Sequence, residues 1–411
     1  MTAAGRTDPA LPPASELRRV LVALCITQIT SWGVLYYAFP VMLTAVTSDT
    51  GWSNGTALGA FSVGLLASAV AAPLTGRLID RHGPRPVMTI GSVLGAGSLV
   101  AVAGTQQLGL FFAAWVLVGL AQSAVLYPPA FAALTRWCGP DRVRAITTVT
   151  LVGGLASTVF APLTAGLLHA MSWRQTCLVL AIVLGAVTIP LHAFMLTPGW
   201  HRGSHRHSPA DPTRPPRSIA RTARSRPFVL FVLALTLAGF GMFGATLNLI
   251  PLLADRGIGT STAAVIFGLI GVGQLLGRFF YPALARNTRP QTRTAAVLAA
   301  GAAAVAVLGL LGGSVGAFVV VAICAGAARG TFTLLQATGV SDRWGTANFA
   351  SLNGIAGAAP AAAIVGAPAG AAFLADRLGS YTAGYLLLAG LTLAGALIAL
   401  GTGVAPDERR G

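Results

Sequence analysis

The chain has 411 residues, of which 55% are hydrophobic and only 9% charged, against roughly 25% charge in an average soluble domain. With a mean hydropathy of +0.74, no water-soluble core can enclose so much apolar side chain, which leaves an integral membrane protein whose apolar surface faces lipid. Four separated cysteines (Cys25, Cys138, Cys177, Cys324) exclude a secreted disulfide scaffold and give no metal spacing.

Residues 1–17 carry Pro9, Pro12 and Pro13 and no apolar core, so they do not read as a signal peptide. A membrane helix needs roughly 20 mostly apolar residues. Such runs are expected at 20–46, 54–75, 87–105, 109–135, 145–169 and 174–196, then at 228–254, 262–285, 294–312, 315–338, 346–374 and 380–402, twelve in all. The runs are continuous rather than alternating, which argues against a β-barrel. The 50 glycines suit close helix approach in a membrane bundle. Residues 197–226 hold seven Arg together with His201, His205 and His207, and read as a solvated central linker.

The net charge of +16 comes from 27 Arg with no Lys. With the N-terminus in the cytoplasm, 22 Arg fall on the cytoplasmic side and three (Arg174, Arg256, Arg377) on the other. By the positive-inside rule both termini are cytoplasmic, and the charge sets topology rather than marking a nucleic-acid surface. The expected organisation is a cytoplasmic tail (1–19), a six-helix bundle (20–196), a cytoplasmic linker (197–226), a second six-helix bundle (227–402) and a short cytoplasmic tail (403–411).

The halves share landmarks. Gly76-Arg77 recurs as Gly277-Arg278, Arg136-Trp137 as Arg343-Trp344, and Ala161-Pro162 as Ala367-Pro368, at offsets of 201, 207 and 206. Three matches in order at nearly one spacing point to a duplicated unit, the plan of many secondary transporters, with the substrate site between the halves.

After the second span the chain reads Gly76-Arg-Leu-Ile-Asp80-Arg81-His-Gly83-Pro-Arg85. Gly76 lets two helix ends meet, Gly83 permits a tight turn, and Asp80 can cap a facing helix terminus or pair with Arg. This segment, in this position, resembles the signature loop of the major facilitator superfamily. The resemblance implies an all-α fold of twelve transmembrane helices in two pseudo-symmetric six-helix bundles. It also implies transport by alternating access, with Gly76, Asp80, Arg81, Gly83, Arg85 and Arg136 in gating. Tyr37-Ala-Phe-Pro40, Arg278 with Asn287-Thr-Arg-Pro290, and Phe373-Leu-Ala-Asp376-Arg-Leu-Gly379-Ser-Tyr381 resemble the monocarboxylate transporters and their bacterial relatives. Two departures stand out. That group usually has Lys where this chain has Val41, and Asp where it has Gln274; both positions are associated there with proton coupling.

None of the eleven acidic residues falls in mid-membrane, whereas Arg278 and Arg329 do. A lone charge at a helix centre costs about 2.5–3.5 kcal/mol on insertion scales. A bound organic anion would offset that cost, held by the planar guanidinium fork. Snorkelling of Arg278, or bonding of Arg329 to backbone carbonyls, are the alternatives. Tyr36, Tyr37, Gln122, Tyr127, Asn248, Gln274, Gln336 and Asn353 complete the expected substrate site, either as ligand contacts or as interhelical hydrogen bonds.

With no embedded acid, the titratable candidates in or near the spans are His169, His192, the tyrosines and the substrate, so a proton either travels on the substrate or does not participate. The expected function is a secondary or facilitative transporter of a small organic anion or metabolite. It would act as a monomer in a bacterial cytoplasmic membrane, with lipid and substrate as its only partners and no cofactor. An exporter of drugs or natural products is the alternative. Ala161-Pro162-Leu-Thr-Ala-Gly166 distantly resembles the span-five motif of superfamily antiporters, with Ala in place of its first Gly. A transporter-like sensor would need an added soluble domain. An enzyme would need a clustered nucleophile and base, and no such cluster or phosphate loop is present.

Overall fold

The computed structural model describes residues 13–200 and 218–403, apart from positions 313 and 347. The expected linker residues His201, His205 and His207 and most of both tails lie outside the described residues. Among the described residues every regular element is helical, and twelve helices are long and apolar enough to cross a membrane. We number them α1 (Ala14–Thr50), α2 (Gly55–His82), α3 (Pro84–Gly104), α4 (Leu108–Trp137), α5 (Gly139–Ala170), α6 (Trp173–Met195), α7 (Arg226–Leu247), α8 (Val265–Asn287), α9 (Pro290–Leu310), α10 (Val315–Trp344), α11 (Phe349–Ala375) and α12 (Tyr381–Leu400).

Local chemistry sets the helix ends. Ser53 Oγ accepts the Thr56 N–H at 3.1 Å at the start of α2. Ser172 and Gln175 form a reciprocal capping box on α6. Pro84 and Pro290 occupy first turns, where a missing N–H costs nothing. Gly51 (φ +74°) and Gly83 (φ +85°) stop α1 and α2 in the region of backbone space that L side chains avoid.

Four breaks are not visible as breaks in the apolar runs. The winding of α1 widens to a π-helix over Gly33–Tyr37. In α4, Leu126 is extended (φ −79°, ψ −162°). The fifth span divides at Leu155, and the seventh apolar run is two helices, the second being Leu249–Asp255 after Asn248.

The duplication is visible in the packing. In the first half α2 packs on α4, α3 on α6, and α1 on α5 and α6; in the second half α8 packs on α10, α9 on α12, and α7 on α11 and α12. Small residues set the closest contacts. A Cβ on Gly273, Gly277, Gly326 or Gly330 would run into the backbone of the facing helix in the α8–α10 pair, and one on Gly119 into Gly64 in the α2–α4 pair. The outer faces are apolar and exposed, as at Val70 (72%), Ile182 (70%) and Ile90 (68%), which suits contact with acyl chains rather than water.

The halves meet chiefly through α2 against α11 and the first part of α5 against α8, with smaller contacts from the end of α4. All of these lie at the end of the bundle where α1 begins and α12 finishes. Beyond Leu155 the fifth span packs within its own half, as does Leu249–Asp255. Among the described residues, the space between the halves is therefore closed at the terminus-bearing end and opens towards the opposite face.

Arg293 and Arg343, which fall outside the expected spans 294–312 and 315–338, are not solvated loop charges: each is 3% exposed. Arg343 donates to the Pro290 carbonyl (3.0 Å), Thr294 Oγ1 (2.9 Å) and Thr402 Oγ1 (3.1 Å), fastening α9, α10 and the end of α12 together. Arg343 Nη1 also donates to the Gly339 carbonyl (3.2 Å), and a guanidinium with four acceptors can stay buried where a bare one cannot.

Gly330→Ala forces its methyl into the Gln274 backbone, whereas Gly316 on the same helix has open space. Gly330→Ala is expected to destabilise the protein by about 1–3 kcal/mol, and Gly316→Ala to be neutral or slightly stabilising. Thermal unfolding of the two variants in detergent checks this.

Candidate functional site

The first wall of the inter-half space is built where α1 is wound wide. Pro40 brings no N–H to the carbonyls of Leu35 and Tyr36, the positions five and four residues before it. Gln122 on α4 supplies the missing donor, Nε2 to the Leu35 carbonyl at 2.8 Å. The reverse tie has the same logic. Pro129 deprives the Val125 carbonyl of its helical partner, and Gln28 Nε2 donates to it at 2.7 Å. Gln122, expected at the substrate site, is 1% exposed and joins α1 to α4. Asn248 has the same kind of place in the second half. Its Nδ2 donates to the carbonyls of Gly244 (2.9 Å) and, on α11, Pro368 (3.1 Å).

The widened turn carries an aromatic cluster that the sequence reading only partly found. Tyr36 and Tyr37 meet edge to face at 5.1 Å, and Tyr36 meets Trp32 at 5.3 Å. Tyr127, just past the break in α4, lies 4.9 Å from Trp32 and stacks on Phe131 at 5.1 Å. Trp32 was not among the expected residues, yet among the described residues its buried indole N–H has no hydrogen-bond partner. A π-turn next to a cavity is a frequent mark of a functional site.

Arg278 and Arg329 come from α8 and α10 in the second half. Arg278 is buried and reaches across to the first half, where Nη1 donates to the Thr150 carbonyl of α5 at 2.7 Å. A main-chain oxygen thus already faces this guanidinium, and an anion would share it with that acceptor. Gly153 and Gly154 make room for the contact. A Cβ at Gly154 would lie 2.7 Å from Arg278 Nη1, and one at Gly153 2.6 Å from Tyr127 Oη. Arg278 Nε is buried and, among the described residues, has no hydrogen-bond partner.

Arg329 differs. Its guanidinium lies over the Phe243 ring, 3.9 Å from the centroid. Among the described residues it has no hydrogen-bond or ion-pair partner. The charged and titratable groups in electrostatic reach of it are Tyr36, Tyr37 and Arg278, with no carboxylate among them. Both arginines and the tyrosine cluster thus share one space between the halves. Gln274, Gln336 and Asn353 are half-buried, and among the described residues their side chains have no hydrogen-bond partner.

The closed end gathers the loop after α2. Asp80 accepts the N–H groups of Ser351 (2.7 Å) and Ala350 (3.3 Å) at the start of α11. Asn348, at φ +52°, turns the chain into that helix. A Cβ on Gly76 would collide with the Ala350 carbonyl. Gly83 packs on Trp200, whose indole N–H donates to the Asp80 carbonyl at 3.2 Å and whose ring lies under Arg136 at 4.5 Å. Trp200, read only as the start of a linker, is thus part of the closure. Arg81 and Arg85 are exposed. A second fastener is Asp342, which accepts Arg142 Nη2 at 2.9 Å from the first half and is also bonded by Arg293.

Asp80→Ala removes a charged cap worth about 1 kcal/mol. Amide exchange over residues 349–352 is expected to quicken by roughly fivefold, read by hydrogen–deuterium exchange mass spectrometry.

Residues 24–359 match the family model of the Major Facilitator Superfamily. Over 382 residues the chain is 29% identical to human monocarboxylate transporter 11, covering 86% of this chain and 74% of that one. Over 265 residues it is 26% identical to bovine monocarboxylate transporter 13, covering 62% and 57% respectively. The fold is similar to that of the fucose:proton symporter of E. coli, with a TM-score of 0.71 at 17% identity over 94% of this chain and 98% of that one. The chain belongs to the Major Facilitator Superfamily as a multi-pass membrane transporter related to the monocarboxylate transporters, and is not an enzyme.

Proposed function

We propose that the protein carries a small organic anion of the monocarboxylate class across a bacterial cytoplasmic membrane, as a monomer, by alternating access. The observation that carries this reading is Arg329, a mid-span guanidinium with a ring on one face and, among the described residues, no acceptor. A carboxylate gives such a fork two charge-assisted bonds and removes the cost of an uncompensated charge. Trp32, Tyr36 and Tyr37 offer a donor and an apolar face for the rest of the cargo. Tyr127, Gln274, Gln336 and Asn353 are its further contacts on this reading, while Gln122 and Asn248 keep the helices in register. Relatives named as monocarboxylate transporters support the substrate class.

The excess of Arg at the closed end supports cytoplasmic termini, so the structure would be open to the outside. Two units, 20–196 and 227–402, would rock about the cavity, with the tails 1–19 and 403–411 and the linker 197–226 in the cytoplasm. Gly76, Asp80, Arg81, Gly83, Arg85 and Arg136 form the inner gate. Val41 and Gln274 stand where the group usually places Lys and Asp, so a proton travels with the substrate as its own acid or takes no part. The aromatic cluster also suits an exporter of an amphipathic natural product, the second reading.

Thermal-shift screening of the purified protein against carboxylates, sugars, amphiphilic amines and drugs separates the two. Carboxylates are expected to stabilise the wild type. Arg329→Gln is expected to lose that stabilisation and to lower carboxylate uptake into vesicles by at least about tenfold, the value of one charged hydrogen bond. Unchanged uptake, or stabilisation by amines alone, overturns the anion reading. Flux that does not respond to pH at fixed anion concentration favours facilitated diffusion.

A further inference from the structure

A cleft of about 660 Å³ opens between the halves at the terminus-bearing end, away from the aromatic cavity. Arg142 and Arg144 line it from the start of α5, and Arg286, Arg293 and Asp342 from α8, α9 and α10. Asp342 is occupied by Arg142 and Arg293, and Asp141 is the other carboxylate on the rim. Four guanidinium groups against two carboxylates leave the cleft positive. Arg144 and Arg286 are exposed and, among the described residues, have no hydrogen-bond, ion-pair or ring partner. One belongs to each half. The same cleft has an apolar wall, Leu151 and Phe279, and Phe279 is 65% exposed on the outer face of α8 with Phe280 (62%) beside it.

We propose that this cleft binds the phosphodiester headgroup of an anionic membrane lipid. Arg144 and Arg286 donate to the phosphate oxygens from opposite sides, and the acyl chains lie along Leu151 and Phe279. The charge pair alone would suit any phosphate; the apolar wall running from it onto the outer face selects a lipid. Arg142 and Arg293 set the floor of the site, since sharing Asp342 keeps them from drawing the headgroup deeper. Because the headgroup touches both halves, it is held only while this end is closed. It therefore favours the conformation described here, whatever the cargo in the central cavity.

The test uses the full chain purified in detergent, titrated with phosphatidylglycerol or phosphatidylcholine and read by native mass spectrometry and thermal shift. Phosphatidylglycerol is expected to be retained and to stabilise, and phosphatidylcholine not. Arg144→Gln and Arg286→Gln each weaken retention by about fivefold and together by about 25-fold, from the usual worth of one basic residue at an anionic surface. Arg289→Gln, a neighbouring exposed arginine outside the cleft, leaves retention unchanged. Equal retention of the two lipids in the wild type overturns the proposal without recourse to any variant. So does an equal loss in Arg289→Gln, which would mean a general surface charge. Stabilisation by inorganic phosphate alone to the same extent assigns the cleft to a soluble anion and overturns the lipid.

Discussion

A guanidinium held in hydrocarbon must find an acceptor, and the two mid-span arginines meet that demand differently. Arg278 crosses between the halves to a main-chain carbonyl, so its partner is also a tie holding the halves together on one side. Arg329 stays within its own half, face to face with Phe243, and is left with donors to offer. On the carboxylate reading this difference has a mechanical consequence. A carboxylate is a stronger acceptor than a neutral carbonyl, so an anion drawn in by Arg329 competes with Thr150 for Arg278. Cargo binding would loosen one of the contacts that keep the terminus-bearing end closed, and the charge that attracts the cargo would also register its arrival.

The same rule, applied to the backbone, explains where the helices break. In a bilayer no water stands ready to satisfy a freed carbonyl. The breaks at Gly33–Tyr37, Leu126 and Asn248 fall beside side-chain amides, Gln122, Gln28 and Asn248 itself, that donate to the exposed carbonyls. These amides explain how irregular backbone borders the cavity at a tolerable cost. The widened turn sets Tyr36 and Tyr37 beside Trp32, and the break in α4 places Tyr127 against the same ring. A glutamine inside a membrane helix is therefore as informative about a nearby proline as about a ligand.

The spans, their number and the duplication were legible because length and continuous apolarity are dictated by the bilayer, and because glycine positions such as Gly76 and Gly277 survive in both halves. The breaks were not, since a π-turn leaves the composition of an apolar run unchanged. Arg278 stood out by its depth, but its partner did not: a main-chain acceptor on Thr150 has no residue signature, and only Gly153-Gly154 hinted at room for a long side chain. Trp200 was hidden by its flanks, because polar neighbours made it look like part of a solvated linker. Arg293 and Arg343 misled in the opposite way. Their place near span ends suggested loop charges, while their acceptors, Asp342, Thr294 and Thr402, lay far off in sequence.

Duplication also makes the asymmetry of the closed end meaningful. The end of α2 packs on the start of α11, and the end of α8 packs on the start of α5, as a two-fold relation requires. At the first corner Asp80 caps the facing helix. At the offset of 201 that relates Gly76 to Gly277, the equivalent of Asp80 is Tyr281. Its hydroxyl is turned instead to Thr338 within its own half, at 2.6 Å. The second corner thus has no acid from α8 reaching the start of α5, and closure there passes to Asp342 on α10. Asp342 is taken up by Arg142 and Arg293, which leaves Arg144 and Arg286 facing the cleft. One corner is sealed by an acid that caps the facing helix, and the other by an ion pair whose acid is already shared by two arginines. A duplicated frame whose acid at this corner is already paired, beside four arginines, provides both the room and the charge for an anion from outside the chain.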